Sequence, residues 1–153
     1  VKLILILIYT GLRIGELFSL RVSDIHFEDR YMLGGSKTEA GKNRVIPISH
    51  KITSYIAHFV ANADKLLIDG FPGNKILSNF RRREWVDTLN LLGINNPQKT
   101  PHAARHTFAS LMVRAEVAPE HLQKIIGHAD YNTTANLYIH ADTPQLIEAI
   151  DKL

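Results

Sequence analysis

Thr100 to Tyr138 reads TPHAARHTFASLMVRAEVAPEHLQKIIGHADYNTTANLY, and its punctuation predicts three consecutive helices. Pro101 suits a first helical position, where its missing N–H costs nothing. Pro119 opens a second helix that runs to Ile126, and Gly127 closes it. Asp130 to Tyr138 gives a short third helix with Thr133 and Thr134 near its start. On the first helix His102 and Arg105 stand three apart and share a face. His128 follows Gly127 at the end of the second, and Tyr138 lies ten residues further on.

Working outward, Val1 to Tyr9 reads as the end of a buried helix that Thr10-Gly11 breaks. Thr10 or Gly11 is placed to cap a short helix over Leu12 to Leu20. Its apolar residues leave Arg13 and Glu16, three apart, on another face. From Asp24 to Ile48 the pattern turns to short strands: Asp24 to Phe27, Tyr31 to Leu33, and Arg44 to Ile48. Ala40-Gly41-Lys42 is a turn signal, which puts Lys37 near a hairpin tip. Pro47 marks the last strand as an edge or as ending.

Ile52, Tyr55, Ile56, Phe59 and Val60 return to helical spacing. Asp69 to Asn74 reads as a loop, and Asn79 to Leu92 as a helix opened by Arg81, Arg82 and Arg83. Thr143-Pro144 opens a last helix, with Leu146, Ile147, Ile150 and Leu153 on one face. The sum is an α+β fold, a mainly helical domain with a small antiparallel β-sheet near the N-terminal third.

Bulk properties bound the class. A chain of 153 residues suits one domain with a real core. Apolar content of 45% and charged content of 22% are those of an ordinary globular protein. A formal charge of +3 permits a nucleic-acid partner without demanding one. No cysteine is present, so disulfides, Cys-based metal sites and Cys nucleophiles are excluded. The opening VKLILILIY is too short to span a bilayer and is followed by no small-residue cleavage site. We read it as a buried helix and expect no membrane partner. The chain starts without Met and without a cap before that helix, and we read 1–153 as a fragment of a larger protein.

The chemistry follows from residue types. A fixed guanidinium, imidazoles and a phenol brought together suit an attack on a phosphate. The cation neutralises non-bridging oxygens, the phenol attacks, and the imidazoles move or donate protons. His102 and His106, four apart, also invite a zinc reading. The zinc-protease pattern needs Glu after the first His, and Ala103 stands there. No metal and no other cofactor is expected.

His-x-x-Arg at His102 and Arg105, Gly-His at Gly127-His128, and Tyr138 in Asn-Leu-Tyr-Ile-His resemble the tyrosine recombinases, the phage-integrase family. Arg13 in TGLRIGEL and Lys37 in GSKTEAGKNRVIPI resemble that family's upstream Arg and Lys. The resemblance runs from about Thr10 to His140. One departure is visible: the family often has Leu before the second Arg, and here Ala104 stands there.

The resemblance implies a catalytic set of Arg13, Lys37, His102, Arg105, His128 and Tyr138, supported by Glu16 and His106. It implies cleavage and rejoining of DNA strands through a 3′-phosphotyrosyl intermediate, with no ATP or metal. It further implies double-stranded DNA at specific recombination sites as partner. A homotetramer on that DNA, using the C-terminal helix 143–153, and an absent N-terminal DNA-clamping domain are implied as well. Such an enzyme would be cytoplasmic, nucleoid-associated, and bacterial or phage-encoded. Lys42, Arg44, Arg81, Arg82 and Arg83 are further candidates for DNA phosphates. Two other readings stand beside this one. One is a non-catalytic DNA-binding or assembly module of the same fold, and the other is a type IB topoisomerase-like strand transferase.

Overall fold

The computed structural model describes residues 1–35, 43–68, 74–94, 96, 99–127 and 139–153. Lys37, Lys42, His128, Tyr131 and Tyr138 lie outside them, as do the expected helix over 130–138 and nearly all of the expected 69–74 loop.

Helix α1 (Lys2–Thr10) is the apolar opening run, and Leu3, Ile4, Ile6 and Leu7 are buried. Gly11 ends it in the left-handed region, φ 64°, and donates its N–H to the Leu7 carbonyl. A Cβ at Gly11 would lie 2.6 Å from Phe108 Cδ1, so the residue is fixed by both its dihedral and its close approach. Helix α2 (Ile14–Ser19) begins later than expected. Arg13, not Thr10 or Gly11, occupies its cap position, and the Glu16 carboxylate accepts the Arg13 N–H at 2.8 Å. Thr10 instead donates its hydroxyl back to the Ile6 carbonyl.

Strands β1 (Ile25–His26), β2 (Tyr31–Gly34) and β3 (Arg44–Pro47) form one antiparallel sheet in that order. Pro47 therefore sits on an edge strand, as its missing N–H requires. The Met32–Ile46 pair belongs to a core made by α1, α2 and α3 (Thr53–Ala61). The neighbouring Leu33–Val45 pair faces a second core. Period-two alternation thus serves two buried faces rather than one core and solvent.

The second core gathers Phe108 and Met112 of α6 (His102–Arg114), Ile125 and Ile126 of α7 (Pro119–Ile126), and Leu146, Ala149 and Ile150 of α8 (Ile139–Asp151). Pro119 opens α7 and Gly127 closes it at φ 71°, as expected, while Pro101 stands one residue before α6, at its N-cap position, rather than at its first helical position. Helix α8 starts at Ile139, before Thr143-Pro144, so Pro144 lies inside it rather than at its first turn. The apolar face of α8 is spent within this chain. Its end is fastened by Arg30, which donates to both Asp151 oxygens at 2.9 and 2.5 Å, and by Lys51, which donates to the Leu153 carbonyl.

The arginine run does not open a helix. Helix α4 (Asn74–Asn79) leads into a π turn over Phe80–Trp85, and α5 (Val86–Leu91) continues from it. Bonding five residues apart widens the turn, which brings Phe80 and Trp85 to the same side. Both are buried, while Arg81, Arg82, Arg83 and Glu84 form the exposed arc between them. Phe80 packs edge-on against Phe18 of α2, ring centroids 5.7 Å apart.

Candidate active site

Glu16 is the centre of the site. It is 3% exposed and accepts four N–H bonds. The Arg13 backbone N–H and Arg13 Nη1 reach it at 2.8 and 3.0 Å. Arg44 Nη1 and Nη2 reach its two oxygens at 3.2 and 2.8 Å in a bidentate fork. Burial pushes the Glu16 carboxyl up, but the bond and charge of Arg44 and then the backbone N–H and charge of Arg13 outweigh it. The result is a pKa lowered to about 2.

Arg44, expected to meet DNA, does not face solvent. It is 7% exposed, forked onto Glu16, and its Nε donates to the Ile125 carbonyl at 2.7 Å. A guanidinium at the start of β3 points into the gap between α2 and α7, where an apolar side chain would leave Glu16 underserved.

Arg105 is also buried. It rests on two carbonyls, Gly11 at 2.8 Å through Nη1 and Ile126 at 2.7 Å through Nη2. Each of those nitrogens carries a second N–H. Burial, then the charges of Arg13 and Arg44, lower its pKa to about 10, against a smaller opposing pull from Glu16. Three guanidiniums and one carboxylate therefore share a small volume, and the surplus is positive.

Arg13 is the exposed member of the group, and its side chain retains 32% of its surface. It lines a cleft of about 700 Å³ together with Arg81, Trp85, Lys99, Thr100 and His102. His102 and His106 lie at the exposed start of α6 with rings 4.9 Å apart and edge to face. Partial burial first, then the charges of His106, Arg105 and Arg13, lower the His102 pKa, which favours neutral imidazole at physiological pH. Among the described residues no group of three His, Cys, Asp or Glu is placed to hold a metal ion.

The structure thus brings Arg13, Glu16, Arg105 and His102 together. Arg81 reaches the same cleft, and Arg82 lines an adjoining hollow with Leu77 and Ser78. Arg83 lies on the exposed arc beside them. Sequence reasoning missed Lys99 and Trp85. The Trp85 indole N–H donates to the Lys99 carbonyl at 2.6 Å and so fixes the strand of chain that enters α6. The five-residue spacing of Phe80 and Trp85 around three arginines is the signal that was available.

Residues 2–144 match the Phage integrase family. The chain belongs to the phage integrase family. Its relatives include the tyrosine recombinase XerA of Pyrococcus horikoshii, 33% identical over 99% of this chain and 54% of that protein. The transposase of transposon Tn916 from Enterococcus faecalis is 32% identical over 90% of this chain and 41% of its own length. The Tn1549 transposon integrase, solved in complex with a circular intermediate DNA, superposes with a TM-score of 0.65. It is 26% identical over 94% of this chain and 56% of its own. The chain spans about half the length of the curated relatives it matches. Among the described residues no helix is long and apolar enough to cross a membrane.

Proposed function

We propose that this chain is the catalytic region, 1–153, of a site-specific DNA recombinase that cleaves and rejoins strands through a 3′-phosphotyrosyl intermediate. The observation that carries the reading is the surplus of guanidinium charge: Arg13, Arg44 and Arg105 gathered around the single carboxylate of Glu16. Arg13 is aimed from that cluster into a cleft that His102 also lines. Such a site is complementary to a phosphodiester, and more so to the extra charge of its pentacovalent transition state.

The Tyr138 oxygen attacks the scissile phosphorus, and the bond from phosphorus to the 5′ oxygen breaks. Lys37 gives the leaving 5′ oxygen its proton. Neutral His102 handles the proton of the phenol, with His106 beside it. Arg13, Arg105 and His128 hold the non-bridging oxygens. A 5′ hydroxyl from a second strand then attacks the phosphotyrosine and restores Tyr138, so the phosphodiester energy is conserved and no ATP is consumed.

Double-stranded DNA is the proposed partner. Arg81, Arg82 and Arg83 on the exposed arc, with Lys42, would meet phosphates flanking the scissile one. Arg44 is withdrawn from that set because it is buried and its Nε and both Nη nitrogens bond inside the fold. The parent protein would act as a homotetramer on two duplexes, with an N-terminal DNA-clamping domain, in the cytoplasm of a bacterium or as a phage-encoded enzyme. A tetramer contact through 143–153 must use the polar face of α8 or exchange the helix between subunits, because Leu146, Ala149 and Ile150 are buried within the chain.

The test is adduct formation on a nicked recombination substrate. Free tyrosine has a pKa near 10, so about 10⁻³ of it is ionised at pH 7, a deficit of roughly 4 kcal/mol that the cationic site must offset. Tyr138→Phe is expected to bind DNA and form no covalent adduct, while Tyr131→Phe still forms one, with or without EDTA. An adduct in Tyr138→Phe, or a strict need for a divalent metal, would sink the proposal.

A further inference from the structure

Arg44 is buried on protein acceptors, and it has more fixed hydrogen-bond geometry than any of the arginines expected to meet phosphate. Its fork closes on Glu16, and its Nε holds the Ile125 carbonyl. Ile126, the next residue, gives its own carbonyl to Arg105. Glu16, in turn, fixes both the backbone and the side chain of Arg13. One buried side chain therefore joins the anchor of the first candidate phosphate clamp to the turn of α7 that seats the second.

We infer that Arg44 is a positioning residue for strand transfer: it holds Glu16 as the carboxylate that aims Arg13, and it locks that carboxylate to the end of α7 beside the seat of Arg105. The inference rests on the recombinase reading.

A bland alternative is a buried ion pair that only stabilises the fold. Removing one partner of a buried pair costs stability under either reading, so the rate and pH profile of a folded variant separate the two. What the pair does supply is a fixed ionisation state and a fixed direction. The charged groups facing Glu16 are Arg13 at the head of α2, Arg44 from β3, and Arg105 from α6 at longer range. Burial alone drives the Glu16 carboxyl toward protonation, and Arg44 is the first influence opposing it. Without Arg44, Glu16 protonates at higher pH. Protonation turns one of the two oxygens that accept from the Arg13 backbone N–H and Nη1 into an O–H donor, which weakens one of those bonds, and the clamp loses its aim.

The experiment uses the full-length parent protein and compares DNA affinity with adduct formation on the nicked substrate from pH 5 to pH 8.5. Arg44→Met is expected to bind DNA within about 3-fold of wild type and to cleave at least about 10-fold more slowly at neutral pH, the scale of a misaimed catalytic group. Its rate should fall further as pH drops, along an acid limb steeper than the one His102 gives wild type. Adding Glu16→Gln to Arg44→Met removes the added titrating group, and the profile should return to the wild-type shape while the rate stays low.

Should Arg44→Met fail to fold, Arg44→Lys carries the test. Lysine keeps the charge and loses the fork, so normal affinity with slow cleavage supports the inference. Wild-type cleavage in either folded variant, or a pH profile in Arg44→Met parallel to wild type, overturns it. Failure of the recombinase reading looks different: there the wild-type protein itself forms no adduct.

Discussion

Replacing Glu16 by glutamine keeps the shape of the side chain and removes its charge. A carboxyl held at about 2 instead of 4.5 represents about 3 kcal/mol of folding stability at neutral pH. The sign is that of a depressed acid. The folded protein binds fewer protons than the unfolded chain between those values, so the contribution is complete above pH 4.5 and disappears as pH falls toward 2. Glu16→Gln has no such dependence at this position. It also turns an amide N–H₂ toward guanidiniums that have nothing to accept with, which removes acceptors from Arg13 and Arg44. At pH 7 the variant should lose about 3 kcal/mol, or roughly 6 to 12 °C in melting temperature for a domain of this size. Urea titrations of both proteins at pH 7, 5.5, 4 and 3 measure the gap directly. The gap should be constant from pH 7 to 5.5 and should narrow below pH 4.5. A gap that keeps its full size at pH 3, or none at pH 7, would refute the account of Glu16 as an ionised hub.

Arg13→Ala and Arg105→Ala should each slow adduct formation by about 10²-fold or more, the scale of a lost transition-state donor. Their stabilities should diverge in melting curves, because Arg105 bridges two buried carbonyls and Arg13 is partly solvated. Gly11→Ala should lower stability by about 2–4 kcal/mol, from the left-handed dihedral and the overlap with Phe108 together, as read from denaturant midpoints. Asp151→Asn should weaken the fastening of α8 by about 1 kcal/mol or less, and the loss should shrink in high salt because both partners touch water.

Much of the helical framework was legible because its signals are local. Pro101, Pro119 and Gly127 act within one turn of where they stand, and each sits where its backbone preference places it. Arg44 was misread for the opposite reason. Beside Lys42, at the edge of a turn signal, it looks like one more hairpin cation. Its burial is decided by Glu16, 28 residues earlier, and by a carbonyl of α7, 81 residues later. The start of α8 failed similarly. Pro144 imitates a first helical residue, and the helix instead continues through it from Ile139. The capping role of Arg13 was hidden by chemistry: arginine is no ordinary cap, and here the cap is completed by Glu16 reaching back.

The π turn at Phe80–Trp85 has a consequence for which changes in length this chain can absorb. Two buried aromatics five apart, with four exposed residues between them, are one residue more than an α-helical face needs. Deleting any one of Arg81, Arg82 or Arg83 would leave the rings four apart, on one face of a regular helix, and the core beneath would scarcely register the loss. The helix can therefore gain or shed a cation by single-residue insertion or deletion, so the count of positive charges on this arc is free to change while the packing that carries Arg13 stays the same.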